Sequence, residues 1–350
     1  MSASGQRQGA QGGPDDFLDR RSYRLHPGER VIITGASGFT GTNLVQTCLR
    51  RESRILNLDP LPPRNDAHRA VWNRVDPLDS VAVSSAVTAF APTLVCHLGA
   101  GNDLHGKTLA DYAHNIEGVQ TIIDTCNATP NVRRVIVASS RLVCRMGYHP
   151  TGEDDYCPTT SGGESKMVGE LIVRNTEHRY ERLIVRPTSI WEPSAQCPTG
   201  TASMPLRAVA TSTSRDCLYA SRLAMSGIPS ISWSGSPMRR RKRFRDVLSI
   251  SLTTRRRTSL RCRNMIQRYT NGPRIRTIPR SPLALAARVG DVLQHTGWSE
   301  PPLPTFRLNT LSTEMVYDLT PLQDAVGPLP HSLADGVRDA VAWTRRNSAS

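Results

Sequence analysis

This 350-residue chain has no apolar run approaching the ~18 residues that a membrane-crossing helix needs, so no membrane partner is expected. Its N-terminus, MSASGQRQGAQGGPDD, lacks the apolar core of a secretory signal, and the expectation is a cytoplasmic protein. No two of its cysteines stand in a CxxC pair. Cys48, Cys96, Cys126, Cys144, Cys157, Cys197, Cys217 and Cys262 are scattered, which argues against a zinc site or a disulfide framework and for reduced thiols. No metal site is therefore expected. Internal repeats are lacking as well. The formal charge of +14 points first to nucleic acid, but residues 193–257 alone hold 12 basic and 2 acidic residues. That leaves 32 basic and 28 acidic residues elsewhere, so the excess is local rather than a general property of the surface. Its RRRKR run has no interleaved aromatics, and no nucleic-acid partner is expected.

What is present is an alternation of short β-branched runs with longer helical patterns. Glu29–Thr34, Arg54–Asp59, Leu94–Leu98, Arg134–Ser139 and Glu181–Val185 read as buried strands. Helical patterns follow the first strand, span Tyr112–Ala128 and Glu164–Arg174, and return after a Pro-rich start near 280 and at Asp335–Arg346. This rhythm predicts an α/β fold with a parallel sheet covered on both faces. Residues 1–28, polar and rich in Gly and Gln, predict a disordered tail. On the helix at 112–128, Ile116, Val119, Ile122 and Ile123 share one side, which either meets a partner or packs on the sheet.

Gly35-Ala36-Ser37-Gly38-Phe39-Thr40-Gly41 gives GxxGxxG between a strand and a helix. Glycines there let the backbone turn tightly and approach a pyrophosphate, while the helix N-terminus offers free N–H groups and a positive dipole end. Asp59 ends the next strand. A carboxylate at that place accepts hydrogen bonds from a ribose diol and repels a 2′-phosphate, which favours NAD over NADP; Arg64 nearby keeps NADP open.

With this loop and the motifs that follow it, the chain resembles the extended short-chain dehydrogenase/reductase family, specifically its NAD-dependent epimerase/dehydratase branch acting on nucleotide sugars. Asp76 in VDPLD resembles that family's adenine-contacting Asp. His97-Leu98-Gly99-Ala100 resembles its segment beside the cofactor, and Asn115 in DYAHNIEG its structural Asn. Arg186-Pro187-Thr188-Ser189 resembles the strand end where backbone approaches the nicotinamide. The resemblance covers residues 29–192 and resumes near 264–346. It implies a Rossmann-type doubly wound sheet over 29–192 with a smaller C-terminal substrate domain. It also implies a homodimer through helices near 104–127 and 164–178. The cofactor set is then Gly35, Ser37, Gly38, Phe39, Gly41, Asp59, Asp76, Leu98, Gly99, Ala100, Asn115, Lys166 and Pro187. His97 is given no catalytic role.

The family chemistry needs a Ser or Thr, a Tyr and a Lys, the Tyr phenolate taking a proton from a sugar hydroxyl as hydride passes to NAD. Ser140 in VASSRLV matches the first and Lys166 in GESK the last. The Tyr belongs four residues before that Lys, and there the chain has Gly162. Tyr156 lies ten residues before Lys166, on an expected loop. Cys144, where the family often has another Tyr, reads as a packing thiol. Impaired catalysis is therefore expected; a non-catalytic NAD-binding or NAD-sensing protein is the alternative.

Residues 193–257 break the pattern, with 12 Ser in 65 residues and no sustained apolar period. Back-translations of Met204–Asp216, Arg239–Leu248 and Leu248–Arg257 can be chosen so that the third-base frame gives AVASGRYVHIPG, PPEAVPGRP and VYLADYAPP, texts that resemble the family's substrate domain. Three such hits in one relative frame and in order favour a shifted reading frame over a natural basic insert. Either way, the expected divisions are a tail at 1–28, an NAD-binding domain at 29–192, an aberrant basic segment at 193–257, and the remainder of a disrupted substrate domain at 258–350.

Overall fold

The computed structural model describes residues 28–101, 106–187, 247–248 and short stretches between 264 and 342. Seven strands form one sheet: β1 (Arg30–Thr34), β2 (Arg54–Leu58), β3 (Trp72–Asn73), β4 (Leu94–His97), β5 (Arg134–Ala138), β6 (Glu181–Val185) and β7 (Val247–Leu248). Their spatial order is β3-β2-β1-β4-β5-β6-β7, and every pairing is parallel. Four helices accompany them: α1 (Phe39–Arg50), α2 (Ser80–Phe90), α3 (Ala113–Ala128) and α4 (Ser161–Asn175). This is the expected Rossmann-type doubly wound α/β sheet.

The strands read as unbroken apolar runs because both sheet faces are covered. Val31, Ile33, Cys96, Ile136 and Val185 pack on one side with Leu44, Val45 and Cys48 of α1. Ile32, Val95, Val135, Val137 and Ile184 pack on the other with Val83 and Val87 of α2, Val119, Ile122 and Ile123 of α3, and Val173 of α4. The apolar side of the third helix thus faces the sheet, with Ile116 only half-buried.

Two elements were not expected from the sequence. α2 is the run SVAVSSAVTAF, started by Asp79, whose side chain accepts the Ala82 N–H at 2.9 Å. β3 is only two residues long. α4 also starts a turn earlier than expected, at Ser161, because the Thr160 side chain caps it by accepting the Gly163 N–H at 3.0 Å. That earlier start places Gly162 inside the first helical turn.

Past residue 187, Val247 and Leu248 add to the sheet beside Ile184 and Val185. The rest of the expected 193–257 segment, and the tail at 1–27, lie outside the described residues. Helices α5 (Arg280–His295) and α6 (Thr305–Ser312) are joined by the Thr305 N–H donating to Asp291 Oδ1 at 2.8 Å. In the expected terminal helix at 335–346, the described residues 335, 337–338 and 341–342 are helical; the others lie outside the description.

Candidate active site

β1 and β4 are neighbours whose connections leave in opposite directions, so their C-terminal ends open a crevice at the switch in strand order. The glycine loop lies there. Gly35 has φ +67°, and a Cβ on it would stand 2.6 Å from the Gly99 backbone nitrogen, so two backbones meet at this point. A Cβ on Gly41 would be 2.3 Å from Ala36 Cα. Gly38 differs. It has φ −70° and ψ 175°, which any residue adopts, and a Cβ there would meet only the Gly35 carbonyl oxygen, at 3.1 Å. Gly38 is also the N-cap of α1, which has no side-chain cap and no acidic residue in its first turn. α2 and α4 are both capped by side chains. Phe39 opens α1, and its carbonyl accepts from Asn43 Nδ2 at 3.1 Å.

Asp59 locks this loop from β2. Its Oδ2 accepts the Ser37 N–H at 3.0 Å and its Oδ1 accepts the Leu61 N–H at 2.9 Å. Burial pushes its pKa up, while the Leu61 and Ser37 bonds pull it back. The Ser37 hydroxyl donates to the Leu61 carbonyl at 2.7 Å and accepts from Asn57 Nδ2 at 3.2 Å, so its role is to shape the loop. Asp76 sits apart at the turn before α2, half-exposed. Its Oδ1 accepts the Leu78 N–H at 2.9 Å and faces His114 Nε2 at 3.1 Å.

Leu98, Gly99 and Ala100 leave β4 beside the glycine loop, held by Leu98 N–H to the Thr34 carbonyl (3.1 Å) and Gly99 N–H to Thr34 Oγ1 (3.2 Å). Asn115 clamps the next residue: it accepts the Gly101 N–H at 3.0 Å, donates to the Gly101 carbonyl at 3.2 Å, and donates to Ser165 Oγ on α4 at 2.9 Å. His97 is buried with Nδ1 2.7 Å from Thr34 Oγ1. Burial, then the Lys166 charge, push its pKa down to about 3, so it is neutral at physiological pH.

At the end of β5, Ser140 caps a single 3-10 turn, its Oγ accepting the Leu142 N–H at 3.2 Å. The hydroxyl proton remains available. Lys166 is 8% exposed, and its Nζ donates to the Ala138 carbonyl at 3.2 Å. Burial lowers its pKa to about 8 against the opposing pull of Glu170. The Pro187 carbonyl accepts the Arg141 N–H at 3.1 Å, tying the end of β6 to the turn after Ser140. Gly162 lies one helical turn before Lys166, on the same side of α4.

Two features were missed by sequence reasoning. A Cβ on Gly162 would stand 3.3 Å from both Cζ and Oη of Tyr112, which is 1% exposed and also pressed against Gly101 and Gly106. No spacing rule pairs a residue at the start of α3 with one on α4. The second feature is a buried network behind Lys166. Glu170 accepts from Arg186 Nε (2.8 Å) and Nη2 (2.6 Å), from the Ser139 hydroxyl, and from the Tyr156 hydroxyl at 2.9 Å. Tyr156 is therefore engaged elsewhere; burial, then the Glu170 charge, raise its pKa to about 12, the wrong direction for a general base. The i,i+4 spacing of Lys166 and Glu170 is the signal that was there to be read.

With this geometry in place, the chain matches the model of the NAD dependent epimerase/dehydratase family over residues 31–225. It belongs to that family. It is 28% identical over 177 residues to a 3-beta-hydroxysteroid dehydrogenase of Mycolicibacterium neoaurum, covering 46% of this chain and 48% of that one. It is 27% identical over 168 residues to the N-acetyl-alpha-D-glucosaminyl-diphospho-ditrans,octacis-undecaprenol 4-epimerase of Escherichia coli O157:H7, covering 47% and 49%. The chain thus spans about half the length of these relatives. The Bordetella bronchiseptica enzyme WbmG, solved in complex with NAD and UDP, shares the fold with a TM-score of 0.65 at 20% identity, over 93% of this chain and 96% of that one.

Proposed function

We propose that this chain binds NAD on the Gly35–Gly41 loop and takes a nucleotide sugar as its substrate class, with turnover impaired because Gly162 stands where the phenol is needed. The first turn of α1 carries the cofactor reading: it is uncapped, it opens on Gly38, and it lies at the switch in strand order. Gly38 answers to no conformational demand of its own, and its bare Cα leaves room for a pyrophosphate to reach the helix N-terminus. The Asp59 oxygens retain lone pairs beyond their bonds to Ser37 and Leu61, which suit ribose hydroxyls and oppose a 2′-phosphate. NAD, when bound, supplies the hydride acceptor. Ser140 offers its hydroxyl proton to a substrate oxygen, and Lys166, anchored on the Ala138 carbonyl at the end of the same strand, holds a positive charge below about pH 8. The family supports the nucleotide-sugar class, as does the UDP named with WbmG. A 3β-hydroxysteroid is the control substrate, given the steroid dehydrogenase among the sequence relatives.

We also propose that residues 193–257 are coded out of frame, which resequencing the gene across codons 190–265 tests, and that the chain forms a homodimer through α3 and α4, which sedimentation across micromolar concentrations tests. For the cofactor, calorimetric titration is the experiment. NAD is expected to bind more tightly than NADP, with Asp59→Asn weakening NAD by about tenfold. Equal affinity for the two dinucleotides, or unchanged NAD affinity in Asp59→Asn, overturns the assignment.

A further inference from the structure

Outside the cofactor loop and the Lys166 network, the fold brings Cys144 and Cys157 together. They are the two partners of an isolated parallel bridge, fixed by the Cys157 N–H donating to the Val143 carbonyl at 2.9 Å. Partners across such a bridge have backbones about 4.8 Å apart and side chains leaving on the same face. A disulfide needs Cα atoms about 4.4–6.8 Å apart. The Cys144 thiol points into the loop that carries its partner, its S–H donating to the Asp155 carbonyl at 3.4 Å. Asp155, whose carbonyl takes the Cys144 S–H, also accepts from the Tyr148 hydroxyl on Oδ1 at 2.6 Å, which anchors the loop between the two cysteines. Both thiols are free; Cys144 is buried and Cys157 is partly exposed. Cys48, Cys96 and Cys126 are by contrast buried in the core, Cys96 on β4 itself and the other two on α1 and α3.

We infer that Cys144 and Cys157 form a reversible disulfide on exposure to a small-molecule disulfide such as oxidised glutathione. The accessible Cys157 thiolate attacks one glutathione sulfur, forming a mixed disulfide and releasing one glutathione thiolate. That thiolate takes up a proton. Cys144 then loses its proton to solvent, and its sulfur attacks Cys157 Sγ. The Cys144–Cys157 bond forms, the bond from Cys157 to glutathione breaks, and a second glutathione leaves. Two protein thiols are oxidised by two electrons, and one glutathione disulfide is reduced to two thiols.

The bond closes the loop that carries Glu153, Asp155 and Tyr156. The Glu153 carbonyl accepts from Arg186 at 2.7 Å, and Tyr156 donates to Glu170, so this loop leans on the network behind Lys166. Oxidation would thus fasten the loop that braces Arg186 and Glu170.

The test equilibrates the folded full-length chain in mixtures of oxidised and reduced glutathione, alkylates remaining thiols, and maps tryptic peptides without reduction. Residues 142–145 and 146–166 are separate tryptic peptides. The expected product joins them, lighter by two hydrogens than the reduced pair, and disappears with dithiothreitol. Cys144→Ser should stall with glutathione on Cys157, and Cys157→Ser should leave Cys144 unmodified. These adducts report on access and order of attack even if a variant loses stability. The inference is overturned if Cys157 in the wild-type chain carries only glutathione, if both thiols stay alkylated at every ratio, or if the joined peptide forms only after unfolding in guanidinium.

Discussion

Gly35 and Gly38 stand three residues apart in one loop and are held to glycine by different physics. Gly35 has a left-handed backbone and no room for a Cβ; Gly38 has an ordinary backbone and one tight neighbour. Gly35→Ala is therefore expected to cost about 3 kcal/mol, from strain plus a clash with backbone that cannot swing away. Gly38→Ala should change stability by less than about 1 kcal/mol yet weaken NAD by about tenfold or more. Denaturant melts and calorimetry on the two variants separate the roles, and equal losses of stability would refute the distinction. Lys166 gives a second residue-scale prediction. Its folded pKa of about 8 lies below its ordinary value, so between about pH 8 and ~10.4 the unfolded chain binds more protons than the folded one. Stability contributed at this position therefore rises with pH across that window, and burial of the charge is a cost at neutral pH. Lys166→Met should be more stable than the wild-type chain by about 2 kcal/mol at pH 7, with the gap closing near pH 10. Urea melts at the two pH values measure it, and a gap that widens with pH would contradict the burial argument.

Among the elements, α4 holds the most chemistry, because it carries Gly162, Lys166 and Glu170 on one side and packs on α3 and the 3-10 turn after Ser140. Glu170 and Arg186 form a buried ion pair, with 1% and 6% side-chain exposure. Glu170→Gln should cost about 3–5 kcal/mol because Arg186 stays buried without its counter-charge, whereas Tyr156→Phe should cost about 1 kcal/mol. A double-mutant cycle with Arg186→Met should recover part of the first loss; simple additivity would show that the pair acts separately. The elements also show what the sequence could disclose. β1, β4, β5 and β6 were legible because burial on both faces leaves an unbroken β-branched run. Asp59 and the glycine loop were legible because strand, turn and helix leave their marks within thirty residues. The start of α2 was hidden by its small, Ser-rich text, and β3 by its two-residue length. Tyr112 against Gly162 is a tertiary meeting of α3 with α4, which no local spacing records. The engagement of Tyr156 with Glu170 is of the same kind, joining a loop to a helix.

For the molecule as a whole, the proposed impairment has two separable parts, Gly162 and segment 193–257. Under the proposed reading, the first takes away an acid–base group, a loss typically worth about 10²–10⁴-fold in rate. The other, if read out of frame, removes the cover that holds a sugar within reach of hydride transfer, and positioning alone accounts for about 7–11 kcal/mol of a well-oriented reaction. The two losses predict a specific pattern in a two-by-two set of repairs, assayed with NAD and a panel of UDP-sugars. The chain as it stands should show no measurable turnover. Gly162→Tyr alone should rescue nothing, because substrate is not held; in either background a Cβ there would stand 3.3 Å from the Tyr112 hydroxyl and ring, so Tyr112 must yield by a few tenths of an ångström. Frame restoration alone should give a chain that binds nucleotide sugar yet stays nearly inactive. Only the double repair should turn over, with Ser140→Ala and Lys166→Met each reducing its rate. Robust turnover by the unrepaired chain would refute the account outright. Activity from frame restoration alone would mean another group supplies the proton transfer. Tyr112 would then be the first phenol to replace with Phe, since its hydroxyl lies against the position that Gly162 leaves bare.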